Sequence, residues 1–538
     1  MHTRRPWTGA LLLSLALWPG VALASEEGGG VIDYVYEIAP ILILLLVVAV
    51  AIGRLPKVEL GHSDAYLRRR IFNWLPLGLT YAFLYMGRYN LTVSKNQFSD
   101  MGLMSNADFG VIFGIGTLTY GCAFLLNGPL TDRFGGKKAI LAGAGGAAIM
   151  NLLMGMVTIE VLAGGPGPFT NGVMLIADPI FSVFSSIRGL FGVESGDTER
   201  SLLLPTLSVL YAGNMYFQSF GAVAIVKVNA PWFHVTERGV FGAIFGILIS
   251  LGVFFAYDVN GMVVKHFPTQ SVFLGPAMML ALFWVLCLVM VKDTPGEAGH
   301  RDFNTGDASE GDDGPPLSVV QVFIKMFSNP IIMTIACIEF CSGFLRQAIM
   351  QWYIIFAKQV GLMDTFVPQN WGLLLCCAGI MGGVFAGVIS DRVFQSRRGP
   401  VAAVLYGGML LGSITMISML DTPLLGWLVI FMSLCVIGVH GMLSGTASMD
   451  FGGKKNVGVA VGIIDGFVYA GTGVMAFWYG WRLPSGEAAK DVANWTEWPI
   501  WMIPVALVGL LLATRVWHAK PKPKVVAEVT HPAEPEAS

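Results

Sequence analysis

Two arginines, Arg88 and Arg346, stand deep inside long uncharged stretches of this 538-residue chain. A charged side chain at the centre of a membrane-spanning helix costs about 2.5–3.5 kcal/mol on insertion scales, so those that persist face a cavity. At helical spacing, Arg88 shares a face with Tyr81 and Tyr85, and Arg346 shares one with Glu339 and Gly343. The arginines are 258 positions apart, and the pairs Asp132-Arg133 and Asp391-Arg392 are 259 apart. One offset relates both sets, so the arginines occupy equivalent positions of an internal repeat and are expected to meet across a shared cavity. Facing guanidiniums repel unless an anion lies between them, and their planar forks match phosphate oxygens two at a time. The competing reading is internal neutralisation, of Arg346 by Glu339 for example.

Other polar groups are less specific. Asn214 and Gln218, one helical turn apart, suit either substrate hydroxyls or bonds between helices. Lys227 is either a third cation of the cavity or a lysine snorkelling to an interface. Asp465, in the apolar run 461–473, needs a partner or a proton. It reads as a proton-coupling site, with Glu339 as a second acid, or as a paired or hydrogen-bonded structural group. The seven cysteines lie in or beside apolar stretches, and none has metal-ligand spacing with a histidine. No nucleophile–base pair appears. No metal, cofactor or enzyme chemistry is expected.

These residues need helices to hold them. Only 13% of the chain is charged and 54% is hydrophobic, against about 25% charged in soluble domains. Uncharged stretches of about 20 residues recur, the length of helix that crosses about 30 Å of hydrocarbon. They predict core spans near 72–93, 107–130, 139–158, 204–226, 240–257 and 271–291, then 331–356, 371–390, 400–420, 424–448, 457–480 and 499–514. The expected fold class is an all-α membrane protein of two six-helix halves, 72–291 and 331–514, around a central cavity. Residues 1–24 read as a signal peptide and 38–53 as an extra transmembrane helix. Residues 292–330 read as a central cytoplasmic loop and 515–538 as a cytoplasmic tail. One set of connections holds 21 Lys and Arg against seven in the other, Lys95 among them, which places the first set in the cytoplasm. Glu237 and Lys454, in matching basic loops, are only 217 positions apart, so about 42 residues are inserted into the first half. The insertion falls at 159–203, where the apolar stretch 173–190 is expected to lie along the membrane surface. The net charge of −2 speaks against a nucleic-acid partner. The expected partners are the lipid bilayer and a small anion, bound by a monomer.

These features resemble the organophosphate:phosphate antiporter family of the major facilitator superfamily, which contains the bacterial glycerol-3-phosphate and hexose-phosphate transporters. The resemblance covers roughly residues 72–515. The run Tyr81-Ala82-Phe83-Leu84-Tyr85-Met86-Gly87-Arg88-Tyr89-Asn90 looks like the family's first-helix stretch, whose arginine binds substrate phosphate and whose tyrosines line the cavity. Leu345-Arg346, with Trp352 following, looks like the second phosphate-binding arginine. Tyr120-Gly121, Phe217-Gln218 and Lys292-Asp293-Thr294-Pro295 also fit. The Asp-Arg loops alone mark only the superfamily. There are departures: Pro231 stands where glycerol-phosphate carriers have a functional histidine, with His234 one turn later, and Phe124 takes the place of a lysine.

The resemblance implies the major facilitator fold. Together with the residue reading above, it gives a candidate substrate set of Arg88, Arg346, Tyr81, Tyr85, Lys227, Asn214, Gln218 and Tyr120 and gating loops with Asp132, Arg133, Asp391 and Arg392. Asp465 and Glu339, the candidate coupling residues, are acids that depart from the family's cavity. The expected function is exchange of a small phosphorylated organic anion (glycerol-3-phosphate, sugar phosphate or phosphoglycerate type) for inorganic phosphate by alternating access. The expected location is the bacterial inner membrane, with a cytoplasmic C-terminus. The alternatives are a proton-coupled carrier of a non-phosphorylated organic anion and a non-transporting sugar-phosphate sensor.

Overall fold

The computed structural model describes residues 62–190, 202–234, 238–303, 319–394, 397–447 and 457–519. The expected signal and the helix at 38–53 lie outside the described residues. Every regular element among those described is helical. The first half contains α1 (Asp64–Asp100), α2 (Asn106–Phe134), α3 (Gly136–Leu162), α4 (Pro168–Leu190) and α5 (Leu203–Asn229). It continues with α6 (Arg238–Phe254), a π-helical turn (Phe255–Val259), α7 (Asn260–His266) and α8 (Ser271–Met290). After α9 (Val319–Phe327), the second half runs through α10 (Pro330–Met350), α11 (Trp352–Gln359), α12 (Trp371–Arg392) and α13 (Arg398–Ile417). It ends with α14 (Leu425–His440), a π-helical turn (Gly441–Ala447), α15 (Val457–Arg482) and α16 (Glu497–Arg515).

Local signals start several helices. The Ser63 hydroxyl accepts from the Tyr66 amide at the start of α1, and Ser105 and Asp108 form a reciprocal capping box on α2. Asn329 caps α10, with Pro330 in its first turn. Among the described residues, nine helices are long and apolar enough to cross a membrane. The 37-residue α1 is not one of them, because Asn73, Thr80, Arg88, Asn90, Thr92, Ser94, Lys95 and Asn96 punctuate it. All eight are buried, so they face protein rather than lipid. Lys95, counted above with the connections, is thus an interior residue of α1.

The halves meet where α2 lies along α15, where α6 lies along α12, and where the ends of α1 and α11 touch. A two-fold relation between repeats makes a residue meet its own equivalent. Gln347 donates to the Tyr89 hydroxyl at 3.0 Å, and Lys358 pairs with Asp100 at 3.1 Å, both across the repeat offset of 258. Thr92 likewise donates to Gln351, 259 residues on.

One end of the bundle, here the basic end, carries the turn with Arg133, Lys137 and Lys138. There Asp293 accepts from the Lys137 amide (2.7 Å), and Trp232 donates its indole N–H to the Lys292 carbonyl (3.1 Å). At the opposite, far end, Asn106 donates to Gln359 (3.4 Å) and to the Pro484 carbonyl across the halves. Asp258, in the π-helical turn, accepts from the Gly372 and Leu373 amides at 2.7 and 2.8 Å, capping α12 of the other half. The bonds joining described residues of the two halves lie in the middle of the bundle and at this far end, so the halves are closed together there.

The insertion holds α4, packed on α3 and α5. Glu160 accepts from the Phe169 and Thr170 amides (3.0 and 2.7 Å), pinning the start of α4. Leu175, Ile176 and Ile180 of α4 are exposed.

Candidate substrate-binding site

Glycine contacts bring the second half's contribution into place. A Cβ on Gly343 of α10 would collide with the Val468 carbonyl, and one on Gly471 of α15 with the Phe340 carbonyl. The two backbones therefore touch, and the Thr472 hydroxyl donates to the Gly343 carbonyl at 3.0 Å. This crossing sets Tyr469 beside Arg346, whose guanidinium carbon lies 5.8 Å from the tyrosine ring centroid.

Arg88 is held on all sides. It is 1% exposed. Its Nε donates to Gln218 Oε1 (2.9 Å), Nη2 to the Tyr120 hydroxyl (2.8 Å) and Nη1 to the Tyr469 hydroxyl (3.3 Å). The Tyr85 and Tyr120 rings flank the guanidinium at 4.6 and 4.5 Å, and Tyr81 packs edge-on against Tyr85. Gln218 is positioned by Asn214, which accepts from it and from Asn151, both at 3.0 Å, and donates to the Gly87 carbonyl (2.9 Å).

Arg346 is also buried, at 9% exposure, but among the described residues its Nε and Nη2 have no hydrogen-bond partner. A buried donor left unpaired costs about 1–3 kcal/mol, and more when charged. Glu339, which shares the helix face, forms no ion pair with it among the described residues but acts on it through its charge, its own Oε2 lying 2.9 Å from His440 Nδ1. The site therefore contains one satisfied guanidinium and one with open donors, linked through Tyr469. Such a pair can take an oxyanion on its open side.

The remaining candidates scatter. Lys227 is exposed in the last turn of α5, where its charge acts on Asp293 at the basic end; it does not join the arginines. Pro231 begins a tight turn that ties α5 to the basic end through Trp232, and His234 follows it there. Phe124, in the place of a lysine, stacks on Tyr469 with centroids 6.0 Å apart. Half-buried Asp465 accepts from the Ser444 hydroxyl. Arg133 is exposed at the end of α2. Asp132, Asp391 and Arg392 fall on the last turns of α2 and α12, their side chains outside the described set.

Several participants escaped the sequence reading. Tyr469 lies one helical turn after Asp465, a spacing that offered a signal. His440 ends an apolar helix and carries none. Gln347 and Gln351 form an inter-half network with Tyr89 of the first-helix run, and only the repeat offset hinted at it.

Residues 77–476 match the model of the Major Facilitator Superfamily. The chain belongs to this superfamily. The chain is 23% identical to a glycerol-3-phosphate transporter of Bacillus subtilis, over 84% of this chain and 94% of that one. It is 21% identical to the membrane sensor protein UhpC of Escherichia coli, over 84% and 92%. A probable hexose phosphate transport protein of Chlamydia trachomatis matches at 21%, over the same shares. Among solved structures, a bacterial homolog of the human lysosomal transporter Spinster aligns with a TM-score of 0.59, at 13% identity, over 85% of this chain and 97% of that one. The family and its solved neighbours are membrane transporters rather than enzymes.

Proposed function

We propose that this superfamily member exchanges a small phosphorylated organic anion for inorganic phosphate, with the phosphoryl group held between Arg88 and Arg346. The observation that carries the reading is Arg346, buried with open donors beside an already satisfied Arg88. Relatives that carry glycerol phosphate and hexose phosphate support the substrate class. Arg88, fixed by Gln218, Tyr120 and Tyr469, supplies a rigid positive wall, and Arg346 supplies the fork that closes on the phosphate oxygens. Tyr81 and Tyr85 line the wall. Asn214 acts one step back, by holding Gln218.

Alternating access then requires the far-end contacts to break while the anion stays bound. By the excess of Lys and Arg, the basic end and the tail face the cytoplasm of a bacterial inner membrane. The exposed apolar residues of α4 fit a helix lying against lipid.

The test is counterflow of a panel of phosphate esters and plain carboxylates into proteoliposomes loaded with inorganic phosphate. Uptake of phosphate esters alone is expected. Uptake of carboxylates alone overturns the substrate class. Binding of a phosphate ester with no flux favours a sensor, the role in the name of the Escherichia coli relative.

A further inference from the structure

Lys95, near the far end of α1, is 0% exposed, and among the described residues its Nζ has no hydrogen-bond partner. Arg88, Thr92 and Lys95 follow one another at i, i+4 and i+7, so they share a face of α1. Two helical turns, about 10 Å, separate the lysine from the arginine.

The neighbours of Lys95 belong to the joint between the halves. One turn earlier, Thr92 donates to Gln351, and five residues later Asp100 pairs with Lys358 at 3.1 Å. Asp100 and Asp108 act on Lys95 through their charge, but both are engaged elsewhere. Asp100 holds Lys358, and Asp108 accepts from the Ser105 amide and hydroxyl at 2.9 and 2.8 Å. The second half brings Trp352, the residue after Gln351. It is 0% exposed, its indole N–H also has no partner among the described residues, and its ring lies edge-on to Phe109 of α2 at 5.9 Å.

A dry ammonium without a hydrogen bond is costly, and an apolar side chain of the same length would fill the space without that cost. The cost falls only on the closed arrangement. Lys95 lies along α1 between the contacts made by Thr92 and Asp100, so parting the halves at the far end uncovers it together with the Trp352 N–H. It is then a hydrated cation two turns outside Arg88, on a wall of uncharged polar groups that includes Thr92, Asn96 and Gln351. We propose that Lys95 is a second anion-binding residue, which takes the phosphoryl oxygens of an anion arriving from the far side and passes it along the α1 face to Arg346. The Trp352 N–H is the second donor of this site. The proposal rests on the reading of Arg346 as an anion-binding residue and adds a site on one side of it only. A lysine suits a brief stop, because it binds phosphate as a point charge without the two-pronged fit of a guanidinium. Closure strips its water after the anion has moved inward, so the site binds only while the far end is open.

The experiment measures half-saturation of exchange of labelled inorganic phosphate by the full chain, at each membrane face, in right-side-out and inverted vesicles. The far side is the face on which Phe366→Cys, an exposed position, reacts with an impermeant thiol reagent in a cysteine-free background. Lys95→Met is expected to raise half-saturation at the far side about fivefold, the worth of one charge–charge contact at about 4 Å in water. The rise should be confined to that side. Lys95→Arg keeps the charge and is expected to restore the far-side value. The methionine variant should unfold at or above the wild-type temperature, since it removes a buried unpaired charge. An unchanged far-side value in Lys95→Met overturns the proposal. A far-side rise matched by an equal fall at the other face means that Lys95 only biases closure, and the proposal falls. It falls too if both variants raise the far-side value alike, or if both unfold well below wild type, which would make Lys95 a structural residue. Wild type that neither binds nor exchanges phosphate removes the anion reading, and this inference with it.

Discussion

At the residue scale the two arginines are unequal, and the difference is measurable. Arg88 has three protein hydrogen bonds, so replacing it breaks a network as well as a binding group. Arg88→Lys is expected to lower both the unfolding temperature and phosphate affinity. Arg346 has open donors, so Arg346→Lys is expected to weaken phosphate binding by about tenfold to a hundredfold, from lost charge-assisted bonds. Its unfolding temperature without phosphate should stay at or above wild type. Calorimetric phosphate titration and thermal unfolding of the purified variants check both. Equal destabilisation by the two changes would mean that Arg346 is a structural residue like Arg88. The arginines were legible in the sequence because charge in an apolar helix is costly and the repeat pairs them. Which one is free was not, since the partners of Arg88 on α2, α5 and α15 lie 32, 130 and 381 residues away.

At the element scale, two contacts decide how the helices act. Gly343 and Gly471 let α10 and α15 touch, and a side chain there must push the helices apart. Gly343→Val is expected to cost about 1–3 kcal/mol of stability, as overpacking does, and to displace Tyr469 from Arg88. Lower thermal stability with reduced phosphate affinity is the expected pair of results; a variant with neither change would contradict the close crossing. The second contact is the Asp258 cap on α12, which exists only while the far end is closed. An N-cap is worth about 0.5–2 kcal/mol. Asp258→Ala should therefore raise the far-open population about two- to thirtyfold. Spin labels at the exposed positions Phe267 and Phe366 report it as growth of the longer-distance component. An unchanged distance distribution would leave Asp258 as a local cap without a role in closure.

At the scale of the whole molecule, the halves close through bonds between repeat-equivalent residues, Tyr89 with Gln347 in the middle of the bundle and Asp100 with Lys358 at the far end. Symmetric contacts of this kind can be made or released together, which is what a rocking motion between parallel repeats needs. If the basic end faces the cytoplasm, a single cysteine at Lys358 in a cysteine-free background should react with an impermeant thiol reagent on intact cells. One at Arg133 should react only after the cells are opened. The reverse pattern would invert the topology.

What the chain determined by its order of residues alone was the helical membrane class, the two-fold repeat and the arginine pair. Periodic apolar length, charge cost and internal offset are local or one-dimensional properties, and they survive without coordinates. The tertiary structure decided the partners. It sent Glu339 to His440 instead of Arg346, although Arg346 shares its helix face and His440 is 101 residues away. It placed Lys227 at the basic end instead of in the cavity, and tied Asn214 to three other groups before any substrate could claim it. Polar side chains in a helix interior take whichever partner packing brings within about 3 Å, and that choice belongs to how helices cross, not to what each helix contains.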